Sequence, residues 1–147
     1  MRKDAKIDRL AGIPLFEGAS RKQLDRIAQL CTEVRLGAGT VLCREGEAGS
    51  EFFVLESGTV RVSARGQQLA VLGPGSFFGE LALLDAGPRT ATVTAEEECT
   101  VLVLSRQEFA AVLEDEPQVA VRMLPAIGRR LRLQAQERSQ AGAPPVV

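Results

Sequence analysis

Histidine is absent from the 147 residues. The chain therefore lacks the commonest metal ligand and the side chain that most often serves as a general base near neutral pH, which counts against zinc hydrolases and histidine-assisted nucleophiles. An excess of charge is missing too. With 18 basic and 19 acidic residues the net charge is -1, so no global field draws the chain to nucleic acid or to an anionic membrane, and any anion site has to be local. No apolar run approaches membrane-spanning length, and the opening MRKDAKIDRLAG has no apolar core of a secretory signal. The expected compartment is the cytosol. Cysteine is scarce: Cys31, Cys43 and Cys99 are widely spaced with no C-x-x-C pair, which fits neither a zinc site nor a four-cysteine cluster. They are expected as reduced, buried packing residues, and no metal is expected.

What remains is ordinary for one soluble domain, 45% hydrophobic and 25% charged, with room for a proper core but not for two domains. Ser20-Arg21-Lys22-Gln23 reads as a capping box, and Leu24, Ile27, Ala28, Leu30 and Cys31 follow at helical spacing. Ala5 to Leu10 is expected as another short helix, and Ile13-Pro14-Leu15-Phe16 as a helix-breaking apolar connector. From Thr32 to Leu104 the pattern changes to short β-rich runs, TEVRL, TVLC, FFVLE, TVRVSA, QLAVL, TATVTA and CTVLVL, punctuated by glycines. Many short antiparallel strands in a sandwich or barrel follow from that pattern.

A second capping box, Ser105-Arg106-Gln107-Glu108, opens a helix carrying Phe109, Val112 and Leu113. Asp115-Glu116-Pro117 closes it and starts another, whose Val119, Met123, Ile127 and Leu131 give one apolar face. Pro125 and Gly128 are expected to kink or divide this last helix. The reading is thus N-terminal helices over 1–31, β structure over 32–104, C-terminal helices over 105–138 and a disordered tail over 139–147.

The chemistry concentrates in Phe78-Gly79-Glu80-Leu81-Ala82-Leu83-Leu84-Asp85-Ala86-Gly87-Pro88-Arg89-Thr90-Ala91. An ionised Glu80 only accepts hydrogen bonds and suits a sugar hydroxyl, whereas Arg89 offers a planar fork of donors that suits phosphate oxygens. A helical turn from Gly79 to Leu84 would present unpaired N–H groups to an anion, and Gly79 would let the backbone come close. A structural ion pair is the ordinary alternative for an isolated Glu and Arg.

This stretch, a Gly-Glu pair with Arg-Thr-Ala starting nine positions after the glutamate, resembles the phosphate-binding cassette of the cyclic nucleotide-binding domain family. The resemblance runs from about Leu10 into the helical tail. It implies an eight-stranded antiparallel β roll of jelly-roll type, mainly β with flanking helices, binding cAMP or cGMP as a regulatory ligand without catalysis. Glu80 would accept from the ribose 2′-hydroxyl and Arg89 would pair with the cyclic phosphate. Backbone N–H groups around Leu81, Ala82 and Ala91 would complete the phosphate shell, beside Phe78 and Gly79. Val71 and Leu83 are candidates for the wall against the base.

Thr90 bears on base choice, since in the family a hydroxyl directly after the arginine can bond a syn guanine. That leaves cGMP open, with cAMP the first choice. Many members place an acidic residue two before an aromatic to steady the arginine; Ser50-Glu51-Phe52-Phe53 departs from this, so Glu51 substitutes from a shifted position or Arg89 lacks that support. No tryptophan or tyrosine is present to form the aromatic lid many relatives use. Arg129, Arg130 and Arg132 read first as a solvated face, alternatively as part of a lid with Leu131 or Leu133 or as an interface to an acidic partner.

The resemblance further implies an output domain or a separate protein partner, reached through movement of the C-terminal helices. No second helix-turn-helix follows, so direct nucleic-acid binding is not expected, and homodimerisation stays open. Two rival readings stand beside this one. A cupin-like enzyme would need several histidines, and a degenerate roll used only for protein contacts would bind neither nucleotide in a titration.

Overall fold

The computed structural model of the chain describes residues 2–79 and 87–140. Both capping boxes are present. Ser20 Oγ accepts from the Gln23 N–H at 3.1 Å and Gln23 Oε1 accepts from the Ser20 N–H at 2.7 Å, opening a helix at Arg21–Leu30. Ser105 and Glu108 repeat the arrangement at 3.1 and 2.8 Å and open the helix Arg106–Asp115. With the N-terminal helix Arg2–Ala11 and the last helix Pro117–Gln140, these are α1 (Arg2–Ala11), α2 (Arg21–Leu30), α3 (Arg106–Asp115) and α4 (Pro117–Gln140). The connector at Ile13 does more than break a helix. Pro14–Phe16 form a 3-10 turn, with Pro14 in the first position its fixed φ favours and Leu15 and Phe16 buried.

Eight strands follow: β1 (Thr32–Leu36), β2 (Val41–Cys43), β3 (Phe52–Ser57), β4 (Val60–Ala64), β5 (Gln67–Leu72), β6 (Phe77–Phe78), β7 (Thr92–Ala95) and β8 (Cys99–Leu104). They form two four-stranded antiparallel sheets, ordered β1-β8-β3-β6 and β2-β7-β4-β5. The first sheet is covered on both faces, which is why its central strands read as unbroken apolar runs. Phe52, Val54, Leu102 and Leu104 face the helices, while Phe53, Leu55, Cys99 and Val101 face the second sheet. All three cysteines are buried thiols in no disulfide.

On the helical side, Phe109 of α3 stacks on Phe52 with ring centroids 4.2 Å apart, and Val112, Val119 and Met123 continue that core. Lys6 of α1 donates to the carbonyls of Ala28 and Cys31 at 2.7 and 2.9 Å, serving acceptors left unpaired at the end of α2.

The last helix is not divided at Pro125 or Gly128. It runs unbroken from Pro117 to Gln140, past the expected boundary at 138, with Pro125 inside it. The carbonyl that Pro125 leaves without a donor belongs to Val121, and both residues lie on the exposed side, where water can take the bond and the helix can bow away from the ring. Its apolar face is buried at Val119 and Met123 and half-buried at Ile127, yet Leu131 is 45% exposed. Spacing of four overshoots a helical turn, so the fourth residue has rotated off the core. The residues 141–147 of the expected tail lie outside the described ones. Among the described residues no helix is long and apolar enough to cross a membrane.

Candidate functional site

Arg89 enters the strand region between two backbone bonds: its N–H donates to the Glu47 carbonyl at 2.9 Å and its carbonyl accepts from the Gly46 N–H at 2.8 Å. One turn of chain before β3 is thereby laced to the approach to β7. Glu45 adds to the lacing, its N–H donating to Thr92 Oγ1 at 3.0 Å while its carboxylate accepts from the Arg65 N–H at 3.0 Å. Arg65 sits at the tip of the β4–β5 hairpin with φ 54, a left-handed conformation that a non-glycine residue holds only with such help.

The guanidinium of Arg89 is fixed by carbonyls. Nη2 donates to the Glu51 oxygen at 2.8 Å and Nη1 to the Gly79 oxygen at 3.3 Å, with Cζ 5.9 Å from the centroid of the Phe53 ring. Among the described residues no carboxylate lies within ion-pair distance of Arg89. Among the described residues, the support for Arg89 thus comes from the Glu51 and Gly79 carbonyls and not from an acidic side chain.

Two glycines make room for that side chain. A Cβ at Gly49 would land on Arg89 Nε and lie 2.8 Å from its Nη2, and a Cβ at Gly79 would stand 2.9 Å from Nη1 and 2.6 Å from the Glu51 oxygen. Gly79 also has φ 87, so it is required twice over, for space and for conformation. Phe53 in turn is held by Phe78, its register partner across β3 and β6, with stacked rings 4.9 Å apart.

The expected site residues are distributed unevenly around this frame. Gly79 and Arg89 meet; Phe78 is buried and stacks on Phe53; Thr90 is exposed and Ala91 half-buried beside Arg89 in sequence. Glu80, Leu81, Ala82 and Leu83 lie outside the described residues. Val71, expected as a wall against the base, lies on the outer face of its sheet. It pairs with Arg61 and is 49% exposed, whereas Val60 and Leu72, the next pair, lie in the core between the sheets, so Val71 takes the outer face. Val62 packs on the inner face that Val71 leaves.

Sequence reading missed Gly49, which looks like one more glycine between strands; only its approach to Arg89 reveals it. Other chemistry is muted. Burial pushes the Cys31 thiol up to about 12, which keeps it protonated and unreactive. Among the described residues no group of three or more His, Cys, Asp or Glu could hold a metal ion.

Comparison with known proteins places the fold in one family. The cyclic nucleotide-binding domain family matches residues 33–116. The cyclic AMP receptor protein of Thermus thermophilus is 32% identical over 128 residues, covering 84% of this chain and 59% of that protein. A cyclic nucleotide-gated potassium channel of Rhizobium etli is 35% identical over 111 residues, covering 76% of this chain and 31% of the channel. Among solved structures, a cAMP-bound PfPKA-R superposes with a TM-score of 0.79 at 25% identity, covering 96% of this chain and 48% of that one. The Thermus thermophilus catabolite activator protein gives a TM-score of 0.74 at 31% identity, covering 88% of this chain and 63% of that one.

Proposed function

The chain belongs to the cyclic nucleotide-binding domain family, and on that premise we propose that it binds cAMP as its first ligand, with cGMP as the competitor, and acts as a regulatory module without catalysis of its own. The observation that carries the reading is the guanidinium of Arg89, oriented by the Glu51 and Gly79 carbonyls and left un-neutralised among the described residues. Such a fork is organised for the equatorial oxygens of a cyclic phosphate before ligand arrives, which lowers the ordering cost of binding. Glu80 is assigned to the ribose 2′-hydroxyl, and the N–H groups of Leu81, Ala82 and Ala91 to the phosphate.

The output runs through α4. Gly75, in the turn that leads into β6, packs against Pro14, since a Cβ there would lie 3.3 Å from Pro14 Cδ. The next residue, Leu15, accepts from Arg122 Nη1 of α4 at 3.4 Å. A cassette that tightens on nucleotide can thus bias the seat of α4 through the 3-10 turn. The chain spans 59% of its Thermus relative and 31% of the Rhizobium channel, and what α4 acts on is an output domain or a separate protein. Calorimetric titration with cAMP and with cGMP tests the proposal directly: saturable 1:1 binding that disappears in Arg89→Ala supports it, and no binding of either nucleotide to the folded wild type sinks it.

A further inference from the structure

Away from the nucleotide site, two carboxylates meet under one arginine. Glu33 of β1 and Glu56 of β3 stand on either side of β8, on the helix-covered face of the first sheet. Glu56 continues the face of Phe52 and Val54, at the point where the pairing with β8 shifts between Leu55 and Ser57. Arg9 of α1 reaches down to both, with Nη2 2.6 Å from Glu33 Oε2 and Nε 2.9 Å from Glu56 Oε2. The Glu56 side chain is only 5% exposed, and its other oxygen, Oε1, has no hydrogen-bond donor. A buried carboxylate oxygen without a donor, beside a second carboxylate, is an arrangement that one proton would complete.

We propose that Glu33 and Glu56 form a proton-sharing carboxyl pair, clamped by Arg9, whose protonation state sets how firmly α1 is docked on the roll. With one proton bound, Glu56 is a neutral acid that donates to Glu33, and the Glu33 and Arg9 charges cancel. Without it, two like charges share one guanidinium and the cluster carries a net negative charge, with the Glu56 carboxylate itself buried. Among the other described ionisable groups nearby, Lys6 of α1 donates to the carbonyls of Ala28 and Cys31 and its charge favours the ionised Glu33; the Cys31 thiol is raised by burial first and then by Glu108 of α3 and by Glu56; Arg35 on β1 pairs with Glu98.

The direction of the pH effect follows from both groups. Burial first, and then the Glu33 carboxyl, push Glu56 up from 4.5 to about 7. The hydrogen bond from Glu56, joined by Arg9, holds Glu33 below its usual range. Glu56 therefore binds its proton more tightly in the folded chain, and its contribution to stability is complete below pH 4.5 and is lost as pH rises through about 7. Glu33 behaves oppositely: its contribution is present above 4.5 and lost as pH falls through its lowered value. Between these limits the Glu56 proton is what changes, and α1 is the element it holds. Because α1 leads directly into the 3-10 turn that accepts Arg122, a loosened α1 reaches the seat of α4.

The test is a carboxyl-carbon NMR titration of the intact chain, combined with amide protection of α1 at about pH 5.5 and about pH 8 after correction for intrinsic exchange. We expect a Glu56 midpoint of about 7 and α1 protection lower by about fivefold or more on the alkaline side. Glu56→Gln, a neutral donor at every pH, should hold α1 protection level across the same range. A Glu56 midpoint near 4.5, or wild-type α1 protection that ignores pH, overturns the proposal. The wild-type titration decides the matter even if the variant does not fold.

Discussion

The backbone oxygen of Glu51 accepts from Arg89 Nη2 at 2.8 Å, so a residue whose side chain is acidic steadies the arginine through its carbonyl instead. The distinction has a consequence for affinity. A carboxylate partner would orient the guanidinium and also cancel much of its charge, which an incoming phosphate would then have to compete for. A carbonyl carries only a partial charge, so the Glu51 and Gly79 oxygens fix the plane of the fork without themselves cancelling its charge.

Arg89→Ala is expected to weaken cAMP binding by roughly 2–5 kcal/mol, because it strands a desolvated phosphate without its main partner. Arg89→Lys should recover only part of that, since a point charge cannot occupy both the Glu51 and Gly79 carbonyls and still present two parallel donors. Calorimetry on the three proteins checks the order. Wild-type affinity in Arg89→Ala would remove Arg89 from the phosphate site.

The two glycines beside Arg89 should separate in their effects. At Gly49 the added methyl meets only the end of a flexible side chain and the backbone is unstrained, so Gly49→Ala should cost under about 0.5 kcal/mol of stability yet reduce nucleotide affinity by displacing Arg89. At Gly79 the methyl meets the Glu51 carbonyl and φ is 87, so Gly79→Ala should cost at least about 1–2 kcal/mol of stability as well. Urea denaturation and nucleotide titration of both variants check this. Equal stability losses would mean that Gly49 is needed for its conformation and not for the space it leaves.

Thr90 is exposed beside Arg89, so its hydroxyl can be removed without opening the core. Thr90→Ala should reduce cGMP affinity by about 0.5–1.5 kcal/mol, one neutral hydrogen bond, and leave cAMP nearly unchanged. Competition between the two nucleotides measures the difference directly. Parallel losses would place Thr90 with the strand or the phosphate and not with the base.

How much of this was legible in the sequence depended on how local each determinant is. Capping boxes are four residues long and marked the starts of α2 and α3 correctly. Burial on both faces of the first sheet made FFVLE and CTVLVL plain as strands. The strand β6 escaped because it is two residues long, and what makes it a strand is its pairing with Phe53 and Val54. In β5, ordinary alternation from Leu72, which pairs with the buried Val60, puts Val71 outward, while the register shift at Val62 and Ser63 leaves Leu69 between paired residues, so the apolar run QLAVL did not show which face is inner. The continuity of α4 through Pro125 turned on whether the Val121 carbonyl reaches water, a fact of the whole fold. The role of Gly49 was equally distant, since it exists only where Arg89, forty positions on, crosses it.

The seat of α4 supplies the last prediction. The helix is held at its start by Val119 and Met123 in the core and by Arg122, which donates to the Leu15 carbonyl and packs within 3.3 Å of where a Gly18 Cβ would be. Past Ile127 it leaves the core, and Pro125 removes one of its own bonds, so local opening should start there and be sensitive to small changes at the 3-10 turn. Hydrogen exchange with and without cAMP should show its largest change outside residues 79–91 in residues 117–133. Arg122→Met keeps the length of the side chain and removes its donors. In that variant the cassette should still be protected by nucleotide, while the response of residues 117–133 shrinks. A full response in Arg122→Met would mean that the signal reaches α4 without the Leu15 contact, and an α4 indifferent to cAMP in the wild type would leave the binding site intact and end its role as the output.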